Sequence, residues 1–151
     1  MRYDLNAPIW KFSFFPALHG NQRASSLLRF LPRLPLKKCH RLLREIICNP
    51  SHEIYYSVAS MWEVAIKYSK GKLPISGAMF LHYCEQAGFK KLPVDERHVL
   101  ALENLTRQDG SPPHKDPFDK IMLAQAKADS MLFMPHDRQF TYYNEPWVLM
   151  V

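Results

Sequence analysis

The placement of its acids constrains this chain more than any other feature. The stretch His114-Lys115-Asp116-Pro117-Phe118-Asp119 sets a carboxylate just where a helix begins, and Lys120-Ile121-Met122-Leu123-Ala124-Gln125-Ala126 continues with residues small or apolar enough to bury. Glu63 lies on the first turns of a helix that follows the strand-like Glu53-Ile54-Tyr55-Tyr56-Ser57, and Asp137 follows closely on the apolar run Met131-Leu132-Phe133-Met134. Acids at strand C-termini, or at the starts of the helices that follow, converge on one edge of a parallel α/β sheet, the edge where such folds bind ligands. Converging carboxylates without thiols or paired histidines suit a hard cation such as magnesium or manganese. The chemistry this implies is metal-dependent attack on a phosphodiester.

From Glu45 onward the punctuation is that of alternating strands and helices. After the turn Asn49-Pro50-Ser51 comes a strand at 53–57. Ser57 or Ser60 can cap a helix carrying Met61, Trp62, Val64, Ala65, Ile66 and Tyr68 that ends at Gly71. Trp62 could stack on a base, but its spacing among apolar neighbours places it in the core. A second helix spans 76–87, 89–94 is extended, and Asp95 opens a helix with Val99, Leu100, Leu102 and Leu105 on one face. A polar loop, Thr106 to Lys115, leads to the Asp119 helix, a strand at 131–135, a short helical turn after Asp137 and a last strand at 147–150. His98, His114 and His136 have no partner at ligand spacing, which favours surface positions or contacts behind the acids.

Residues 1–44 differ. They hold nine Lys or Arg against one acid, Asp4, while 45–151 hold eleven basic and thirteen acidic side chains, so the net charge of +6 belongs to the first third. A basic arm gripping RNA phosphates is one reading. Prolines at 8, 16, 32 and 35 interrupt every periodicity, and the Arg-, Pro-, Leu- and Ser-rich composition is one that out-of-frame translation produces. The length of 151 residues suits one domain, and no apolar run reaches the length of a membrane span. Three irregularly spaced cysteines, Cys39, Cys48 and Cys84, form neither a disulfide framework nor a zinc knuckle and point to reduced thiols in a cytoplasmic protein, at least two of them buried.

Several of these segments resemble a known family. Glu53 to Lys67, followed by Gly71-Lys72-Leu73, resembles the second motif of VapC-type toxins, which are PIN-domain ribonucleases. His114 to Lys120 with Ala124-Gln125-Ala126 resembles their third motif, His136 to Phe140 the fourth, and Pro146 to Leu149 the final strand. The resemblance implies a single PIN-like domain, a three-layer α/β/α sandwich around a mostly parallel sheet, family-like over 45–151 and atypical over 1–44, a stretch either frameshifted or poorly ordered. It implies a Mg²⁺- or Mn²⁺-dependent endoribonuclease, the toxin of a type II toxin–antitoxin system, acting on tRNA or other structured RNA, bound by a cognate antitoxin and forming a homodimer without membrane association. Carried over by position, Glu63, Asp119 and Asp137 match three acidic positions of the family, with Asp116, Ser60 and His114 in support behind them.

The chain departs from the family at its start. The family opens with a strand ending in Asp-Thr, whose Asp is a principal metal ligand, whereas the matching position here is Asn6, with Ala7 after it. Asp4 would share a strand face with Asn6 but sit roughly 6–7 Å away. Asp4 and Asn6 are thus both candidates for the first ligand position. Pro135 replaces a usual Thr in the fourth motif, removing a hydroxyl. A non-catalytic PIN-fold remnant that only binds an antitoxin or dimerises is the alternative to an impaired nuclease.

Overall fold

A computed structural model of the chain describes residues 14–17, 52–135, 137–146, 148 and 150. Asp4, Asn6, His136, Cys39, Cys48 and the greater part of the basic segment lie outside the described residues. The strand expected over 53–57 is present as β2, Glu53–Ser57. It passes directly into helix α1, Val58–Ser69, and Ser57, rather than Ser60, is the cap, its side chain accepting from the Ala59 amide. Gly71 follows the helix at φ 66°, a left-handed conformation that costs glycine little, and so stops it where the sequence predicts. Helix α2, Gly77–Gln86, is capped by Ser76 and followed by a left-handed Gly88.

The extended segment after Gly88 contributes β3, Lys90–Leu92, parallel to β2 with Ser57 opposite Leu92. On the other side of β2, Phe14–Ala17 forms β1, antiparallel, in the sheet order β1-β2-β3. This strand falls within the segment 1–44, where the proline pattern suggested no regular element. Pro16 can sit in β1 because an edge strand needs only one hydrogen-bonded side. The strand expected at 131–135 shrinks to an isolated parallel bridge between Phe133 and Val148, and Trp147 and Leu149 of the final strand lie outside the described residues.

β2 separates two apolar clusters. Ile54 and Tyr56 join Val64 of α1, Phe80 and Cys84 of α2, and Phe89 on one face. Tyr55 packs on the other, against Met122, Leu123 and Ala126 of helix α4 (Pro117–Ala128) and Phe133. A sheet covered on both faces needs apolar residues at consecutive strand positions, which is why 54–56 do not alternate with polar residues. The architecture is α/β, with helices on both sides of the sheet.

Helix α3 runs only Glu96–Ala101 and tightens into a 3₁₀ turn, Leu102–Asn104, so the single apolar face expected through Leu105 does not form. Val99 and Leu100 are exposed, and His98 turns inward instead. Of the two positions expected for His98, surface or behind the acids, the surface one is overturned, and the cause is polar. Its Nδ1 accepts from the Asp95 amide at 3.0 Å and its Nε2 meets Asp129 Oδ2 at 2.9 Å, tying the start of α3 to the end of α4.

At the C-terminal ends of β2 and β3, the buried Ser57 hydroxyl donates to Gln125 Oε1 of α4 at 2.6 Å, and Gln125 Nε2 donates to the Pro93 carbonyl at 3.0 Å. One amide therefore locks α4 against the sheet edge. Ser57→Ala removes the α1 cap and leaves a buried acceptor unmet, so it is expected to lower stability by about 2–4 kcal/mol, read as a shifted urea midpoint at unchanged slope. Burial pushes the Cys84 thiol up to about 12. Cys84 should therefore resist alkylation at pH 8 in the folded protein and react after unfolding, as site-resolved mass spectrometry of iodoacetamide adducts can test.

Candidate functional site

The structure orders the start of α4 through Asp116, not through Asp119. The Asp116 side chain caps the helix, accepting from the amides of Phe118 at 3.0 Å and Asp119 at 3.4 Å, and Pro117 takes the first turn, where a missing amide costs nothing. Asp119 stands in the first turn, near the positive end of the helix dipole. It is 1% exposed, far more enclosed than an acid at a helix start needs to be.

The loop before the helix supplies its partner. His114 is buried, and its Nε2 lies 3.0 Å from Asp119 Oδ2 while its Nδ1 lies 3.0 Å from the Tyr143 hydroxyl. The imidazole stands edge-on to Phe140 and Tyr143, with centroids 5.3 and 5.8 Å away. Tyr143 is held in turn by backbone pairing across two loops: it bridges Arg107, and the Gln108 and Asn144 amides bond to the Tyr142 and Thr106 carbonyls at 2.9 and 3.1 Å. The Arg107 guanidinium lies 4.8 Å over the Tyr143 ring and donates to the Pro112 carbonyl at 2.7 Å. The segment 106–115, expected only as a polar loop, is thus the scaffold that sets His114. Sequence inspection singled out neither Tyr143 nor Arg107, because their link to Asp119 runs through contacts between residues far apart in the chain.

Glu63 is 7% exposed and pairs with Lys67 one turn along α1, an orientation that favours the helix. It is neither a solvated acid nor a first-turn one. Asp137 caps a 3₁₀ turn, Arg138–Tyr142, with its Oδ1 accepting from the Gln139 amide at 2.9 Å. The Ser60 hydroxyl is turned toward Met122 Sδ of α4, 2.9 Å away. Trp62 is the clear departure from expectation: it is 63% exposed rather than in the core. Its ring meets that of Phe118 edge-on at a centroid distance of 5.1 Å, so the residues preceding Glu63 and Asp119 touch.

These acids offer oxygen alone, the donor chemistry that suits Mg²⁺ or Mn²⁺. Among the described residues, however, no group of three or more His, Cys, Asp or Glu side chains is placed to hold a metal ion. Asp4 and Asn6, the candidates for the first ligand position, lie outside the described residues.

The PIN domain model matches residues 24–145, well over half of the chain. The chain belongs to the PIN domain family. No curated protein and no solved structure matches it. The PIN domain is generally a nuclease fold, so nucleic acid is its general class of substrate, and divalent metals are its typical cofactors. Among the described residues no helix is long and apolar enough to cross a membrane.

Asp119→Asn keeps an acceptor for His114 and is expected to fold with little change in stability. Asp119→Ala strands a buried imidazole donor and should cost about 1–3 kcal/mol more than the Asn variant, as paired urea titrations will measure. Trp62→Ala should cost under about 1.5 kcal/mol, the scale of one aromatic pair, and not the roughly 3–5 kcal/mol typical of a core aromatic; calorimetric melting separates the two.

Proposed function

We propose that this PIN-domain chain is a VapC-type endoribonuclease, the toxin of a type II toxin–antitoxin pair, impaired at its first acidic position. The observation that carries the reading is Asp119: a carboxylate buried at a helix start and held by a histidine, inside the span that matches the family. Burying an ionised carboxylate costs several kcal/mol unless it is paired, so a core position of this kind suits chemistry better than stability. Asp119, Asp137 and Glu63, with a donor at Asp4 or Asn6, would hold Mg²⁺ or Mn²⁺. The cation would supply charge at the scissile phosphate and a more acidic bound water.

The chain's own contributions are orientation and enclosure. His114 fixes Asp119, Asp116 sets the helix turn that presents it, and Lys67 offsets the charge of Glu63. Structured RNA, tRNA included, is the proposed substrate, and a cognate antitoxin, a second copy of the chain and the cytoplasm complete the proposed setting. A second reading, a remnant that binds an antitoxin or dimerises without cleaving, is favoured by one observation: the described acids do not group into a metal site by themselves.

Purified protein incubated with total tRNA and structured RNA should show weak Mg²⁺-dependent cleavage that Asp119→Asn abolishes. Asn6→Asp with Ala7→Thr should raise the rate without reaching that of an intact nuclease, because a missing ligand in a site acting as a unit costs orders of magnitude. Cleavage that survives Asp119→Asn would overturn the assignment. An inert protein that the double substitution does not revive would favour the remnant.

A further inference from the structure

We propose that Tyr143 and His114 act in series as positioning residues for the Asp119 carboxylate, an inference that rests on the functional reading above. The proton donors can be assigned from the hydrogen-bond partners. A carboxylate only accepts, so His114 Nε2 carries a proton and donates to Asp119 Oδ2. The tautomer with its proton on Nε2 leaves Nδ1 as the acceptor, to which the Tyr143 hydroxyl 3.0 Å away donates. Donation runs one way, from tyrosine through imidazole to carboxylate.

Each member is fixed from outside the series. Tyr143 is 6% exposed, His114 7% and Asp119 1%, so water does not offer ready substitutes for these bonds. Burial pushes the Tyr143 hydroxyl above its usual range, the charge and hydrogen bonding of Arg107 pull it down, and the charge of Asp119 raises it again. The Arg107 guanidinium lies over the Tyr143 ring, whose face attracts the cation. With Oδ2 held, rotation about the last bond of Asp119 is arrested and the direction of Oδ1 is set. A histidine that orients an acid while itself oriented by a third group matches how outer contacts fix metal-binding side chains.

The decisive variant is Tyr143→Phe, which keeps the ring packing and removes only the hydroxyl. Three readouts are needed: melting temperature, Mn²⁺ affinity by calorimetry, and nitrogen-15 shifts of His114 with the carboxyl carbon shift of Asp119. The expected result is an Nδ1 signal moved from its hydrogen-bonded position, a shifted Asp119 carboxyl signal and a Mn²⁺ affinity lower by about 10-fold. His114→Gln, which can still donate to the carboxylate, should retain more affinity than His114→Ala. A lowered melting temperature with Mn²⁺ affinity and the Asp119 signal unchanged would overturn the proposal and leave the series a packing feature. If the unsubstituted protein binds no Mn²⁺, the metal-dependent reading fails, and the Asp119 signal alone decides: shifted in Tyr143→Phe it supports the series, unshifted it overturns it.

Discussion

An ionised carboxylate buried as deeply as Asp119 must be satisfied by the protein or it will not stay charged there, and much of the surrounding structure answers to that demand. Two contributions are local. The dipole at the start of α4 favours a negative charge, and Asp116 takes the capping bonds. The third contribution, from His114, is not local in cause although the two residues lie five apart. The imidazole points at the carboxylate because Tyr143, Phe140 and the paired loops behind them leave it no other orientation.

The same helix is pinned at its middle. Gln125 joins the end of β2, through Ser57, to the chain leaving β3, through Pro93. Buried polar bonds of this kind specify one arrangement, because any slip leaves a donor or acceptor unmet. Helix α4 thus has its register set at Gln125 and its acid presented less than two turns earlier. Met122 and Leu123, between them, fill the core facing Tyr55 and Phe133, so apolar packing and polar pinning act on the same stretch.

A second pattern concerns aromatic side chains near the acids. Phe140 and Tyr143 are in the core and serve His114, whereas Trp62 lies open to solvent and leans on Phe118. Helical spacing cannot distinguish these cases, since apolar residues on α1 surround more than one face. What decides is which face the neighbouring elements leave available: β2 and α2 take Val64, and β3 and α4 take Ala59.

The sequence alone determined the order of elements from β2 to the turn after Asp137, apart from the strand at 131–135 that shrinks to a bridge, together with the stop at Gly71 and the three acids that stand as candidates. These are local matters: capping, left-handed turns and hydrophobic periodicity operate over a few residues and can be read in order. It also marked 1–44 as different, by charge and proline, though not that Phe14–Ala17 pairs with β2. Only the tertiary structure decided that His98 is interior and Val99 exterior, that Trp62 is exposed, and that Asp119 is reached through His114 from Tyr143. Each of those depends on a partner 29 or more residues away, as Tyr143 is from His114 and Asp129 from His98, or on which helix face the sheet happens to cover. Residue spacing carries no information about such contacts until the chain has closed on itself.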